Sequence, residues 1–182
     1  IIKMENIDSE TLAARHPEVA RLYNLYREEC RKEGWVDFAD LLVTARDALN
    51  DDAVFRARVF DSYSHLLVDE YQDVDPVQAA IVERLAKGVS VLVVGDDDQC
   101  IYQFRGTDVR NILEFSACAE TEKRLLSENR RCPENVVALA QDIATRIARR
   151  EPKSMRALYG QGLVRLKEFE TAQEEAEFVA DE

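Results

Sequence analysis

The chain has 182 residues, of which 46% are hydrophobic, so it holds enough apolar material for one ordinary domain or for the adjoining parts of two. Its 36 acidic residues outnumber its 24 basic ones, and the formal net charge of -12 argues against a generally cationic nucleic-acid binder. The four cysteines form no C-x-x-C pair and there are two histidines, which argues against a zinc site and favours reduced thiols in a cytoplasmic protein.

No apolar stretch approaches the ~18 residues that a membrane-spanning helix requires, and the first residues lack the apolar core of a signal peptide. A short basic cluster stands against the overall acidity. Such a cluster is as typical of a solvated helix face as of a nucleic-acid contact, and both interpretations stay open. Its members are Arg146, Arg149, Arg150, Lys153 and Arg156.

Three helical patterns precede the first predicted strand. Apolar residues recur at helical spacing from Pro17 to about Glu33, with the proline suited to a first turn and Gly34 just past the end. A second pattern runs from about Val36 to Leu49, and a weaker third one from Ala53 to Phe60. The first third of the chain is therefore predicted to be helical.

Two continuous apolar runs follow, and each ends in acidic or amide residues. Residues 66–68 lead into Asp69 and Glu70, and residues 91–94 lead into an acidic run that ends at Gln99. Such runs are typical of buried strands. The carboxyl ends of parallel strands are where open α/β sheets bind ligands.

A helical pattern connects the two predicted strands. It begins at Asp75 and Pro76 and is closed by Gly88. The order strand, helix, strand predicts a βαβ unit within a parallel sheet that is covered on both faces. Both acidic segments should then lie at one edge of that sheet.

The remainder of the chain alternates helical and strand patterns. A polar, linker-like stretch is expected over residues 151–162. The expected elements are a helix from Thr107 or Asp108 to about Phe115, a strand from Glu122 to Leu126, a long helix from Pro133 to about Ile147, a strand from Val164 to Phe169 and a final helix whose capping box pairs Thr171 with Glu174.

The residues after the two strands are suited to nucleotide hydrolysis. Asp69 could hold a magnesium ion, and Glu70 could accept a proton from a water that attacks a γ-phosphate. Gln99 could hydrogen-bond a phosphate oxygen or that water without adding charge. Two acids after a strand are also a common helix cap or solvated loop, so the pair alone does not decide the function.

Two further groups of residues complete the candidates. Tyr102, Phe104 and Arg105 offer flat faces for bases and a cation for a backbone, as single-stranded nucleic acid requires, although aromatic residues near a strand end are commonly part of a core. Arg130 and Arg131 lie where a second unit begins, and an arginine at such a junction could stabilise charge on a γ-phosphate. A surface ion pair is the alternative for these arginines.

Three segments carry a resemblance to a known family. D-E-Y-Q-D, G-D-D-D-Q-C-I-Y-Q-F-R-G and N-R-R-C-P occur in the order and rough spacing of the UvrD/Rep-type superfamily 1 DNA helicases, and residues 36–42 are also similar to these proteins. The resemblance implies an α/β fold with a partial RecA-like (P-loop NTPase) parallel sheet, flanking helices and the start of a second RecA-like domain. Residues 1–33 would be the tail of an inserted helical subdomain, 34–128 the C-terminal part of the first motor domain, and 129–182 the start of the second.

The resemblance also implies an activity. The parent protein would be a cytoplasmic helicase that uses ATP and Mg²⁺ to move 3′ to 5′ along single-stranded DNA, or along a duplex with a single-stranded tail. The implied roles are magnesium binding by Asp69, water activation by Glu70, γ-phosphate contact by Gln99 and Arg131, nucleobase contact by Arg130, base contact by Tyr102 and Phe104, and either backbone contact or support of that loop by Arg105.

The sequence departs from the family pattern in places. The phosphate-binding loop G-x-x-x-x-G-K-[ST] does not occur, nor do the adenine-contacting glutamine and the later arginine motifs. Phe104 stands where many members have tryptophan, and Arg130 where a tyrosine often stacks on adenine. We therefore expect these residues to belong to a longer protein, and the isolated chain neither to bind ATP tightly nor to hydrolyse it.

Two alternative functions and one physical consequence follow from the same residues. The parent could be the motor of a helicase–nuclease subunit, or the chain could be a non-catalytic DNA-binding module with a degenerate motor fold. A parallel sheet without its first strands exposes an apolar edge, so the isolated chain is also expected to self-associate.

Overall fold

The computed structural model describes Ile2, Lys3, Ile7 and residues 9–181, without the side chains of Ser9 and Arg105. Its elements divide between two compact units, one formed by Ile1–Lys123 with Arg149–Glu151, the other by Arg124–Ala148 with Pro152–Glu182. Each unit contains a small parallel sheet with flanking helices, which confirms the α/β prediction. The assignment of residues 1–33, 34–128 and 129–182 to separate domains stays a prediction.

Helices form the first part of the first unit. The three helical patterns expected there are confirmed, and a short helix precedes them. Gly34 ends the long second helix in the left-handed conformation (φ 68°), which glycine adopts without steric cost, and its N–H donates to the Cys30 carbonyl. These helices are α1 (Ser9–Arg15), α2 (Pro17–Glu33), α3 (Phe38–Asp51) and α4 (Ala53–Ser62).

A capping box and a lysine fix the start of α3. The Asp37 carboxylate accepts from the Asp40 N–H at 2.8 Å, and the Asp40 carboxylate accepts from the Asp37 N–H at 3.2 Å. Lys3 Nζ lies 2.7 Å from Asp37 Oδ2, and the Tyr26 hydroxyl donates to the same oxygen at 2.8 Å. Burial acts to raise the pKa of Asp37, but the Lys3 ammonium, the Asp40 N–H and the Tyr26 hydroxyl together lower it from 3.8 to about 2.

The lowered pKa of Asp37 predicts a pH-dependent stability. A carboxyl group whose pKa is lower in the folded state than in the unfolded state stabilises the fold. The stabilisation is complete at pH values above the ordinary pKa of 3.8 and is lost as the pH falls toward the folded-state pKa of about 2. Asp37→Asn keeps an equally good helix cap and removes the charge. We expect it to cost about 1 kcal/mol at pH 6, because Asp37 is partly exposed and solvent screens its ion pair with Lys3.

Urea unfolding measured between pH 6 and pH 2 checks this prediction. The difference between the wild type and Asp37→Asn should shrink as the pH falls below 4. Asp61→Asn is the control, since Asp61 is exposed on α4. A difference that is constant over this range would contradict the assigned ion pair.

The first sheet contains the predicted βαβ unit. Strands β1 (His65–Val68) and β2 (Ser90–Val93) pair in parallel, with His65 opposite Ser90 and Val68 opposite Val93. Helix α5 (Pro76–Leu85) connects them. Asp75 begins α5 with a second capping box, because its carboxylate accepts from Val77 N at 2.8 Å and from Gln78 N at 3.0 Å. Helix α6 (Arg110–Ala117) follows Asp108, whose carboxylate accepts from Arg110 N at 2.9 Å.

One face of this sheet forms the core of the unit. Tyr71 is 1% exposed, and its ring packs edge-to-face with the ring of Phe115 at a centroid distance of 5.4 Å. Burial raises the pKa of the Tyr71 hydroxyl to about 12, with a smaller contribution from Glu83. The packed residues are Leu66 and Val68 of β1, Val91 and Val93 of β2, Tyr71 and Val74 of the following turn, Ala79 and Val82 of α5, and Ile112 and Phe115 of α6.

The other face of the sheet carries exposed apolar side chains. Leu67 is 72% exposed and Leu92 is 57% exposed. The expectation of a sheet covered on both faces is therefore wrong for the described residues, because α5 and α6 both pack on the face that carries Val68 and Val93. Self-association of the chain through this sheet stays a prediction.

The second unit is built around a second parallel pair, β3 (Glu128–Pro133) and β4 (Arg156–Tyr159). Helix α7 (Glu134–Ala144) contacts both strands, and α8 (Ala172–Asp181) ends the described chain. The expected cap of the final helix is present, since the Thr171 hydroxyl accepts from Glu174 N at 3.2 Å. No helix in the described part of the chain is both long and apolar enough to cross a membrane.

Two strand predictions for the second half of the sequence are wrong. Residues 122–126 and 164–169 form no strand, whereas β4 lies within the stretch expected to be a linker. Strand β3 is polar, with the sequence ENRRCP, so apolar runs pointed to the wrong segments. Its pairing with β4 is non-local, and local composition does not specify it. The long helix after Pro133 is confirmed but ends at Ala144, not near Ile147.

Candidate functional site

The acidic segments that follow β1 and β2 lie at one edge of the first sheet. The strands are parallel and in register, so both segments begin at their carboxyl ends. Tyr71 N donates to the Val94 carbonyl at 2.9 Å, which joins the turn after β1 to the end of β2. The structure thus brings Asp69, Glu70 and the loop carrying Gln99 to a common edge.

Glu70 has an unusual backbone conformation. Its φ of 51° and ψ of 42° make it the one non-glycine residue with positive φ among the residues that the structure describes. Asp69 Oδ1 accepts from Glu70 N at 2.9 Å, and a 3₁₀ turn over Tyr71–Asp73 follows directly. Left-handed backbone at an ordinary residue costs of order 1–3 kcal/mol and tends to occur at functional sites. Both carboxylates are exposed at this turn.

A line of hydrogen bonds joins the two acidic segments. Gln72 Nε2 donates to Glu70 Oε2 at 2.8 Å, and Gln72 Oε1 accepts from Asp96 N at 2.9 Å. Gln99 Nε2 in turn donates to Asp96 Oδ2 at 2.7 Å. Glu70 and Gln99 are exposed, whereas Gln72 is buried between them. Sequence reasoning assigned no role to Gln72, although its position two residues after Glu70 was a signal.

An arginine from a distant segment holds the loop after β2. Arg150 Nε and Nη2 each lie 2.8 Å from an oxygen of Asp98, and Glu151 N donates to Asp97 Oδ2 at 2.6 Å. Hydrogen bonding to Asp98 raises the pKa of Arg150, while partial burial opposes the rise. Asp97 is 8% exposed, so the Glu151 N–H supplies a bond that a buried carboxylate requires. Sequence reasoning missed this contact.

Other members of the basic cluster also pair with acids. Arg146 lies 3.2 Å from Asp142 one helical turn away, and Arg156 lies 2.8 Å from Glu128. With Arg150 bound to Asp98, these pairs favour ion pairing within the chain over a continuous cationic surface.

The aromatic residues after Gln99 are exposed. Tyr102 and Phe104 flank the start of a 3₁₀ turn, with ring centroids 6.1 Å apart, and are 38% and 70% exposed. The alternative that these aromatic residues belong to a core is wrong for Phe104, whose side chain is mostly exposed in the described structure. The side chain of Arg105, the predicted backbone contact, lies outside the described part of the structure.

Arg130 and Arg131 lie in the second unit on an irregular part of β3. Asn129 Oδ1 accepts from Arg131 N at 3.0 Å and from Cys132 N at 2.8 Å, and the register with β4 shifts between Asn129 and Pro133. Both arginines are exposed, and Arg130 pairs with Glu128 at 3.0 Å. The surface ion pair considered for Arg130 is therefore present, and the phosphate and nucleobase roles stay predictions.

A comparison with known proteins identifies the family. The protein-family model described as the UvrD/REP helicase N-terminal domain matches residues 2–120 of this sequence. This chain belongs to the UvrD/Rep helicase family. The matched part of this UvrD/Rep chain includes Asp69, Glu70, Gln99, Tyr102 and Phe104. The arginines of β3 lie beyond it.

Curated relatives of this UvrD/Rep chain come from several bacteria. It is 34% identical over 127 residues to the DNA helicase II of Haemophilus influenzae, covering 69% of this chain and 18% of that protein. It is 32% identical over 167 residues to the ATP-dependent DNA helicase PcrA of Staphylococcus epidermidis, covering 90% of this chain and 23% of that protein. It is 35% identical over 188 residues to the ATP-dependent DNA helicase UvrD1 of Mycobacterium tuberculosis, covering 96% of this chain and 24% of that protein. The chain thus spans less than a quarter of each relative.

Proposed function

We propose that this chain is part of an ATP-dependent DNA helicase that couples ATP hydrolysis to 3′ to 5′ movement on single-stranded DNA in the cytoplasm. In this proposal the two units belong to RecA-like motor domains. The names of the relatives support ATP and DNA as substrates. The observation that carries the proposal is the hydrogen-bonded line from Glu70 through Gln72 and Asp96 to Gln99.

The residues at the sheet edge suit phosphoryl transfer to water. Asp69 would hold Mg²⁺, and its single exposed carboxylate fits this ion, which is commonly bound through one or two carboxylates together with substrate phosphates. No cluster of three or more acidic, histidine or cysteine side chains able to hold a metal occurs among residues 9–181. Bound Mg²⁺ neutralises phosphate charge. Glu70 accepts the proton of the attacking water, and Gln99 hydrogen-bonds the γ-phosphate.

The DNA contact in this proposal follows Gln99 on the same loop. Tyr102 and Phe104 stack on bases, and Arg105 contacts the backbone. In the second unit Arg131 contacts the γ-phosphate and Arg130 the nucleobase, since a guanidinium group also stacks on flat rings. The exposure of Phe104 supports the DNA role.

Activity of the full-length protein tests the proposal. We expect ATP hydrolysis that is stimulated by single-stranded DNA, and separation of a duplex that carries a 3′ tail but not of one that carries a 5′ tail. Hydrolysis that does not respond to DNA would contradict the helicase function. Unwinding from 5′ tails alone would contradict the direction of movement. DNA binding without any hydrolysis would favour a non-catalytic module.

Replacement of Phe104 tests the DNA contact. Loss of one base-stacking ring should weaken binding of single-stranded DNA by about 1–3 kcal/mol, which corresponds to about 5- to 150-fold in Kd. Phe104→Ala is measured by fluorescence anisotropy with a labelled oligothymidine at several salt concentrations. Phe38→Ala is the matched control, because Phe38 is 90% exposed in the same unit. Equal affinities of the two variants would contradict the stacking role.

A further inference from the structure

Gln72 is a buried polar residue at the centre of the candidate site. It is 1% exposed and is one of the three largest fully buried side chains among the residues that the structure describes. A buried amide is costly unless its donors and acceptor are bonded. Its Nε2 bonds Glu70 and, at 3.3 Å, Asp73, and its Oε1 bonds Asp96 N. The amide is therefore satisfied by groups that follow both strands.

Gly95 provides the space for this amide. A Cβ at Gly95 would lie 2.6 Å from Gln72 Oε1 and 3.1 Å from Tyr71 N. The amide thus rests against bare backbone at the end of β2, with no side chain in between. The Gln72 carbonyl also accepts from Cys100 Sγ at 3.4 Å, which ties the turn to the end of the Gln99 loop.

We infer that Gln72 is a positioning residue for ATP hydrolysis, which holds the carboxylate of Glu70 and the backbone of Asp96 in one fixed relation. A neutral amide donates to a carboxylate without supplying a proton to it, so Glu70 stays available as an acceptor. The side chain of Asp96 in turn accepts a hydrogen bond from Gln99 Nε2, so Gln99 is linked to the same group of residues. The water-activating carboxylate and the phosphate-contacting amide then keep their relative positions. This inference rests on the proposed function.

Two variants of the full-length protein separate the functions of the amide. Gln72→Glu keeps the length and an acceptor for Asp96 N, but replaces the donor to Glu70 and Asp73 by a carboxylate oxygen. Gln72→Met keeps the length and removes the bonds to Glu70, Asp73 and Asp96. Gln78→Met is the matched control, because Gln78 also bonds through its side chain, accepting from Asp75 N at 3.0 Å at the start of α5.

A split between kcat and KM tests the positioning role. We expect both Gln72 variants to lower kcat for DNA-stimulated ATP hydrolysis about 10- to 100-fold, since small misplacements of reacting groups have effects of this size. KM for ATP should stay within about threefold, because Gln72 binds no phosphate in this proposal. Gln78→Met should keep the wild-type kcat. An equal fall of kcat in Gln78→Met would overturn the inference, because helix capping would then explain the loss.

Hydrogen exchange provides a readout that does not depend on activity. The Asp96 amide should exchange faster in Gln72→Met, stay protected in Gln72→Glu and stay protected in Gln78→Met, measured by mass spectrometry on peptides covering residues 94–99. Unchanged exchange in Gln72→Met, or wild-type kcat in both Gln72 variants beside an active wild type, would overturn this inference alone. A wild-type protein without DNA-dependent hydrolysis would overturn the proposed function and the role of Gln72 together.

Discussion

ATP hydrolysis by the full-length protein is expected to fall about 10²- to 10⁴-fold when Glu70 is replaced by Gln, which is the usual contribution of a general base. The new carboxamide has nearly the shape of the carboxylate, and its carbonyl oxygen can still accept from Gln72 Nε2. It has no basic oxygen that could take a proton from water. Nucleotide binding should persist, because Asp69 and Gln99 are unchanged. Steady-state hydrolysis with single-stranded DNA and titration with a fluorescent ATP analogue measure the two effects.

Glu83→Gln is the control for this change, since Glu83 is an exposed glutamate of the same unit on α5. It removes one negative charge without touching the edge that carries Asp69 and Glu70. We expect the control to hydrolyse ATP at the wild-type rate. Full turnover by Glu70→Gln would contradict the assigned base. A parallel loss of nucleotide binding would indicate that Glu70 contributes to binding and not to proton transfer.

Much of the first unit is specified by local signals in the sequence. Pro17 and Gly34 bound α2, and Asp75 and Pro76 begin α5, because prolines and capping acids act within one helical turn. Strands β1 and β2 are apolar and flank a helical pattern, so their parallel pairing followed from chain order. The shared edge of Asp69, Glu70 and Gln99 follows from the same argument.

The exposed face of the first sheet has no local signal in the sequence. Leu67 and Leu92 have the apolar character of their neighbours Val68 and Val93, and a continuous apolar run gives no alternation that would mark one face as open. Which face is covered depends on where α5 and α6 pack. The sequence pattern of the strands alone therefore could not predict the exposure.

The hydrogen bonds of the site depend on contacts that no local pattern contains. Gln72 reaches both Glu70 and Asp96 because Glu70 adopts left-handed backbone and a 3₁₀ turn follows, and a glutamate gives no sign of that conformation in a sequence. The pair of Arg150 and Asp98 joins positions 52 residues apart. The sequence alone left Arg150 within a basic cluster, with its partner unspecified.

Gly95 is expected to be among the positions in the first unit least tolerant of an added side chain. In Gly95→Ala the Cβ would lie 2.6 Å from Gln72 Oε1, 2.8 Å from Ile112 Cδ1 and 3.1 Å from Tyr71 N. The backbone nitrogen cannot rotate away, and the amide is held by bonds to both acidic segments. The cause is steric overlap and not backbone conformation, because Gly95 is not among the residues with positive φ. Overpacking of this kind typically costs 1–3 kcal/mol, so we expect a loss of about that size.

Urea unfolding followed by circular dichroism measures this loss, with Gly160→Ala as the control. A Cβ at Gly160 would meet no atom within 4 Å, so this variant should differ from the wild type by less than about 0.5 kcal/mol. Because Gly95→Ala also pushes on the amide of Gln72, it should lower the rate of ATP hydrolysis in the full-length protein as well. Equal unfolding free energies for the two alanine variants would mean that Gln72 and Ile112 move aside without cost, and the tight packing argued for the sheet edge would be wrong.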